Sequence, residues 1–275
     1  GSGLATFGTS SSAGVPEIFA NETLVLPLND IETLRTCLTE YADDIACVII
    51  EPIPANNGLL LQDKQFLLVL REICTDLGIL LIFDEVISGF RVAFGGAAEL
   101  YTITPDIVTY GKILGGGLPV GAYAAKKHIM AFVSPDGPVY QAGTLSGNPV
   151  AMAAGLAQLK ECAKNNFYIE LEEKAHYMVN QVNAFTEENN YPLKLVSLGS
   201  IFWFSFNGRK SISAAKEINP DMSNFNLLHA FLLDEGIYFG PSGYEVGFIS
   251  QAHTQAQLEK ASKKIQEGLA FIFKS

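Results

Sequence analysis

Two short runs, residues 46–50 and 79–83, are apolar at every position and too short to be helices, and segments with helical spacing flank both. A strand that is apolar on both faces needs cover on both. Where helices alternate with such strands, the arrangement that provides it is a mostly parallel sheet in an α/β fold. Residues 31–41 and 64–77 carry the helical periods, the second stopped by Gly78. Residues 106–110 and 120–125 read as further strands. Ligands of such sheets gather at the carboxyl ends of strands, so chemistry is to be sought just past those runs.

Beyond Asn148-Pro149 the pattern changes. Residues 150–164 and 169–188 read as two helices, the first rich in alanine and expected to be buried. Residues 193–206 are strand-like, 224–235 helical, 237–239 and 247–250 short strands, and 255–273 an amphipathic terminal helix. The expected organisation is a loop over 1–20, a large α/β unit over 21–164 and a smaller α+β domain over 165–275. With 275 residues, 48% of them hydrophobic, the chain is long enough to bury a proper core.

Composition narrows the function classes. Acidic residues outnumber basic ones by 29 to 18, giving a formal net charge of -11, and no basic cluster exceeds a pair such as Lys126-Lys127. That balance repels a phosphate backbone, so a nucleic-acid partner is not expected. The four cysteines, Cys37, Cys47, Cys74 and Cys162, form no CxxC pair and have no histidine at ligand spacing. Neither a disulfide framework nor a metal site is expected, and a reducing cytoplasm fits best. No apolar run approaches the roughly 20 residues that span a bilayer. The chain opens on Gly1-Ser2-Gly3 without an initiator methionine and runs through a Gly/Ser/Thr-rich stretch to Gly14, with none of the zones of a signal peptide. Either a tag scar or a start inside a loop would give this beginning.

Four segments could carry chemistry. Leu80-Leu81-Ile82-Phe83-Asp84-Glu85-Val86 delivers two acids at the end of a strand. A buried carboxylate is costly unless paired with a cation or strong donors. A protonated pyridine nitrogen would serve as that cation and stay an electron sink; the plainer alternative is an acid that caps the next helix or binds loop amides. Twenty-eight residues on from Asp84, Lys112 follows another strand and precedes Gly115-Gly116-Gly117. A lysine in partly dry surroundings can form a Schiff base and then act as a general base, whereas an isolated Gly-Lys is ordinarily a surface residue beside a flexible loop. Tyr140-Gln141-Ala142-Gly143-Thr144-Leu145-Ser146-Gly147-Asn148-Pro149 gathers hydroxyls, amides and glycines before a helix. Such a turn suits a phosphate, or serves only as a cap with Asn148 at N-cap and Pro149 at N1. Glu51-Pro52 and the Asn56-Asn57-Gly58 turn lie past the first strand, where Asn56 either binds a phenolic oxygen or merely adopts a turn conformation. His253 stands alone near a helix start and reads as a capping or packing residue.

Together these segments resemble class III, fold type I pyridoxal-phosphate aminotransferases. The resemblance is carried by Gly1-Ser2-Gly3-Leu4-Ala5-Thr6, Phe83-Asp84-Glu85-Val86-Ile87-Ser88-Gly89-Phe90-Arg91, Gly111-Lys112-Ile113-Leu114-Gly115-Gly116-Gly117-Leu118-Pro119-Val120-Gly121, residues 141–149, and Pro241-Ser242-Gly243-Tyr244-Glu245. It implies a fold type I large domain, represented here by its C-terminal portion, followed by the smaller α+β domain. It further implies pyridoxal 5'-phosphate and pyridoxamine 5'-phosphate as cofactor forms, with Lys112 as the cofactor lysine and Asp84 at the pyridine nitrogen. Val86 would pack under the ring, Asn56 would approach the phenolic oxygen, and Gly143 and Thr144 would reach the phosphate held by a neighbouring subunit. The last point implies a homodimer with a shared site. Ser2 and the stretch to about Ala20 match a mobile lid, and Tyr140 and Glu245 fall on the substrate side. Glu245 matches a glutamate of one branch, whereas related ω-aminotransferases commonly use an arginine nearby to grip a substrate α-carboxylate, which favours the branch that moves an amino group within one small-molecule substrate. The family's long N-terminal segment has no counterpart here, so Gly1 is expected to be a mid-protein residue.

Overall fold

The computed structural model describes residues 14, 16–208 and 211–274. Ser2 and most of the expected lid over 1–20 lie outside them. After a short turn of helix, α1 (Glu17–Ala20), the chain enters an α/β unit. Helix α2 (Ile31–Glu40) starts where Asp30 accepts the Thr33 amide at 3.0 Å, and α3 (Lys64–Asp76) where Asp63 accepts that of Gln65 at 2.9 Å. Between and after them run β1 (Cys47–Ile50), β2 (Leu80–Glu85), α4 (Gly96–Tyr101), β3 (Ile107–Tyr110), a 3-10 turn (Lys112–Gly115), β4 (Ala122–Ala125) and α5 (Lys127–Met130). The sheet order is β1-β2-β3-β4, with the first three strands parallel and β4 antiparallel.

Burial departs from the expectation of strands covered on both sides. Leu81 and Phe83 of β2 and Ile50 of β1 are buried with Leu34, Leu38, Phe66, Leu67, Leu70 and Ile73 of α2 and α3. On the other side Ile49 is 57% exposed, and Leu80 and Ile82 are half-buried. The helices cover the face that carries Leu81 and Phe83, so β2 alternates where its composition alone would leave it uniform.

Helix α6 (Pro149–Cys162) begins at an Asn148 cap, whose Oδ1 accepts the Ala151 amide at 3.0 Å, with Pro149 inside the first turn. It is not the buried helix its alanines suggest. Ala151, Gly155 and Cys162 are buried, whereas Val150, Met152 and Leu156 are exposed, because only one narrow stripe meets the rest of the chain.

The C-terminal part packs α7 (Phe167–Glu188), α8 (Ser223–Asp234) and α9 (Gln255–Lys274) with a three-stranded antiparallel sheet, β5 (Lys194–Leu198), β6 (Ile201–Ser205) and β7 (Gly247–Phe248). The expected single strand over 193–206 is a hairpin. Leu198 pairs with Ile201 around Gly199-Ser200, and Gly199 takes φ +53°. Residues 237–239 form no strand; the Phe239 carbonyl is taken up by His229 Nε2 at 3.2 Å. A third core cluster joins the two parts, with Ile53, Leu59, Leu60 and Ile87 buried against Ile201 and Trp203.

Candidate active site

Asp84 and Glu85 end β2 on opposite faces, and their partners differ accordingly. Glu85 is 1% exposed and accepts the Ser88 hydroxyl at 2.9 Å and the Ala97 and Ala98 amides at 2.7 and 2.9 Å, at the first turn of α4. Burial pushes its carboxyl above the usual range, and the two amides oppose that rise. A Cβ on Gly96 would collide with this carboxylate, which accounts for glycine there. Glu85 is therefore the helix-capping acid.

Asp84 is half-buried. Its Oδ1 accepts the Val86 amide at 3.1 Å and the Thr109 hydroxyl at 3.3 Å, and its Oδ2 takes no hydrogen bond among the described residues. Parallel pairing sets Asp84 opposite Thr109, three residues ahead of Lys112. Val86 closes the group: a Cβ on Gly111 would stand 3.2 Å from Val86 Cγ1. Asp84, Val86 and Lys112 thus share the adjoining carboxyl ends of β2 and β3.

Lys112 differs from expectation in one respect. It is exposed instead of partly dry, and it begins the 3-10 turn with φ +43°, in the left-handed region that glycine ordinarily occupies. Strain of this kind clusters at functional sites.

A second group forms beside Trp203. Asn56 Nδ2 donates to Glu51 Oε1 at 3.1 Å, Ala55 N–H donates to Glu51 Oε2 at 3.2 Å, and the Gly58 amide donates to the Tyr244 carbonyl at 2.7 Å. This brings the Asn56 turn against the loop that carries Glu245. Glu245 is exposed, and its carboxylate lies over the α-carbon of Gly240.

The remaining candidates stand apart from both groups. Tyr140 is 82% exposed, Gly143 and Thr144 are exposed, and the Ser146 amide closes the turn on the Gly143 carbonyl at 3.0 Å. The His253 ring takes the Ser250 amide on Nδ1 at 3.0 Å, a local turn contact. Two residues to which the sequence alone assigns no role are prominent here. Arg91 stacks 3.9 Å over the Phe248 ring and donates to the Ile87 carbonyl at 3.0 Å, and burial lowers its guanidinium to about 10. Trp203 is the other, with its signal lying only in being the single tryptophan, set among the apolar residues Ile201, Phe202 and Phe204.

No helix among the described residues is long and apolar enough to cross a membrane, and no cluster of metal-ligating side chains is found among them. The family model for aminotransferase class III matches residues 2–269. Glutamate-1-semialdehyde 2,1-aminomutase of Sulfurihydrogenibium sp. (strain YO3AOP1) is 46% identical over 267 residues, which cover 97% of this chain and 62% of that protein. Among solved structures, an omega-transaminase from Sphaerobacter thermophilus superposes with a TM-score of 0.89 at 29% identity, covering 95% of this chain and 60% of its own. A glutamate-1-semialdehyde aminomutase from Pseudomonas aeruginosa PAO1, in complex with PMP, shares the fold with a TM-score of 0.82 at 23% identity, covering 95% and 60%. The chain spans about three fifths of the length of these proteins. Its fold is that of the fold type I enzymes, and it belongs to the class III aminotransferase family.

Proposed function

We propose that the polypeptide carrying these residues is a pyridoxal-phosphate-dependent aminomutase that converts glutamate-1-semialdehyde to 5-aminolevulinate, the tetrapyrrole precursor. The observation that carries the reaction is the 46% identity to an aminomutase along nearly the whole chain. The residues at the ends of β2 and β3 fit the cofactor: a carboxylate at Asp84 with one oxygen that takes no hydrogen bond among the described residues, an amine at Lys112, and an aliphatic side chain at Val86 against Gly111.

The cofactor, when bound, supplies an electron sink for charge that develops on the substrate carbon losing a proton. Asp84 holds the pyridine nitrogen protonated, because its ionised carboxylate favours the adjacent cation. Lys112 carries the cofactor at rest and moves protons at the substrate carbon during turnover. Asn56 would approach the phenolic oxygen, and Glu245 would disfavour an α-carboxylate by like charge, which suits an aldehyde or ammonium end. Residues 21–164 act as the partial cofactor-binding domain and 165–275 as the C-terminal domain.

The polypeptide is read as a cytoplasmic homodimer, with Gly143 and Thr144 reaching the phosphate bound by the second subunit and Tyr140 lining the shared pocket. Exposed Val139, Tyr140, Leu145, Val150 and Leu156 support that reading, since a partner that covered these large apolar side chains would remove them from water. A second reading is an intermolecular aminotransferase for a β- or ω-amino substrate, favoured by the 0.89 TM-score to an omega-transaminase. The complete polypeptide decides between them. Conversion of glutamate-1-semialdehyde to 5-aminolevulinate without added amino donor supports the aminomutase; an absolute need for a donor, with brisk loss of amine from it, overturns it.

A further inference from the structure

Two glycines meet where the lysine-bearing turn touches α6. A Cβ on Gly155 would sit inside contact distance of the Leu114 carbonyl oxygen, and a Cβ on Gly116 would stand 2.5 Å from the Ala154 carbonyl oxygen and 3.2 Å from Gln158 Cβ. The contacts are reciprocal. A carbonyl of the turn lies on a glycine of the helix, and a carbonyl of the helix lies on a glycine of the turn. Gly116 takes φ +57°, which favours glycine by itself; Gly155 lies within α6, where glycine weakens a helix relative to alanine. Space at the Leu114 carbonyl is what Gly155 provides.

That seam matters because of what the turn carries. Lys112 sits at φ +43°, a conformation that an L-residue keeps only when its surroundings fix it. Gly111 rests against Val86 and Gly115 against Val120, where an added Cβ would meet 3.2 and 3.4 Å neighbours, and α6 presses on the turn's last residues. Since α6 is otherwise largely exposed, its buried stripe of Ala151, Gly155 and Cys162 serves mainly as a seat on this side of the chain.

We propose that Gly155 is a positioning residue for Lys112: by letting α6 close on the Leu114 carbonyl, it holds the Lys112–Gly115 turn in the one backbone form that presents the lysine beside Asp84. The inference rests on the reading of Lys112 as the cofactor lysine.

The test uses the complete polypeptide stripped of cofactor and refilled with pyridoxal phosphate, with borohydride trapping on Lys112 followed against time and mapped by peptide mass. In Gly155→Ala, trapping at saturating cofactor should slow by roughly tenfold or more, the factor that strain of this size is worth. The value of kcat should fall with it while KM stays within about twofold, since the substrate groups beside Trp203 are untouched. A variant with a lower melting temperature but unchanged trapping and kcat would make the seam mere packing and overturn the proposal. Should Gly155→Ala fail to accumulate folded protein, Ala151→Gly removes a buried methyl from the same stripe without adding an atom to the turn. Slower trapping there supports the proposal, and trapping at the wild-type rate overturns it. Failure of wild-type protein to trap at Lys112 would instead remove the underlying reading, so the two failures are distinct.

Discussion

The indole N–H of Trp203 donates to the Gly243 carbonyl at 2.8 Å, from a side chain that is 1% exposed. The same ring lies where a Cβ on Gly58 would need to stand, at 2.9 Å from Cζ2, while the Gly58 amide binds the Tyr244 carbonyl. One side chain of the C-terminal sheet therefore pins both the Asn56 turn and the Glu245 loop. Trp203→Phe keeps a ring but leaves the Gly243 carbonyl without its donor. An unmet buried acceptor costs about 1–3 kcal/mol, and the denaturation midpoint should fall accordingly. In the complete polypeptide KM for the semialdehyde should rise more than kcat falls, and trapping on Lys112 should be unaffected. Equal losses in both would show that Trp203 supports the whole site and not its substrate side.

Lys112 is the simplest assignment to break. Borohydride reduction of the holoprotein should fix a single pyridoxyl group, mapped by peptide mass to Lys112, and Lys112→Ala should lose the lysine-linked absorbance while keeping its far-UV circular dichroism. Label on Lys126 or any other lysine would remove Lys112 from the site.

How far the sequence foretold this arrangement depended on whether the signal was local. The Asn148 cap with Pro149, the Gly78 stop and the strand-ending Asp84 and Lys112 all sit where local patterning put them, since each is specified by a few adjacent residues. The exposure of most of α6 and of one face of β1 is not legible in this way, because composition states what a segment tolerates and not what is packed against it. The role of Trp203 is illegible for a related reason: its partners, Gly58 and Gly243, are 145 residues before it and 40 after it, and nothing local marks such a contact. The division of labour between Asp84 and Glu85 was legible in principle from the period of a strand, yet only the amides of Ala97 and Ala98 reveal which acid is the structural one.

That division makes a paired prediction. Asp84→Asn should leave stability nearly unchanged, since its bonds from Val86 and Thr109 can be kept by an amide oxygen, and should lower turnover by orders of magnitude because a neutral amide cannot hold the pyridine nitrogen protonated. Glu85→Gln should do the reverse. Its amide group would face two backbone N–H donors and one hydroxyl with only one oxygen to offer, a buried mismatch worth about 1–3 kcal/mol. Chemical denaturation of both variants, alongside single-turnover rates, tests the pair. A stable Glu85→Gln with normal melting, or an active Asp84→Asn, would reverse the two roles.

Asp106 supplies the acid limit of the fold. It is buried, accepts the Leu81 amide at 2.9 Å, and is bridged by Arg71 at 2.8 Å and Lys126 at 2.9 Å, just before β3. Burial alone would raise its carboxyl, but the Leu81 amide and the two cations outweigh that and hold it at about 2 against an ordinary 3.8. A carboxyl lowered in the folded state contributes stability that is fully present above its unfolded value and is lost as pH falls toward the folded value. The window is therefore pH 3.8 down to about 2. Each tenfold gain in acidity on folding is worth about 1.4 kcal/mol, so the contribution at neutral pH is about 2 kcal/mol. Glu85 runs the other way: its raised carboxyl makes ionisation unfavourable in the fold, so its contribution weakens as pH climbs above 4.5 and cannot produce an acid loss. Asp106→Asn should accordingly lower stability at pH 7 by about 2 kcal/mol or more, the excess reflecting Arg71 left half-buried without its partner. The variant and wild type should converge as pH approaches about 2, with the convergence measured by urea unfolding at stepped pH. If the difference between them stays constant across pH 2–5, the stability supplied by Asp106 comes from packing and not from its charge.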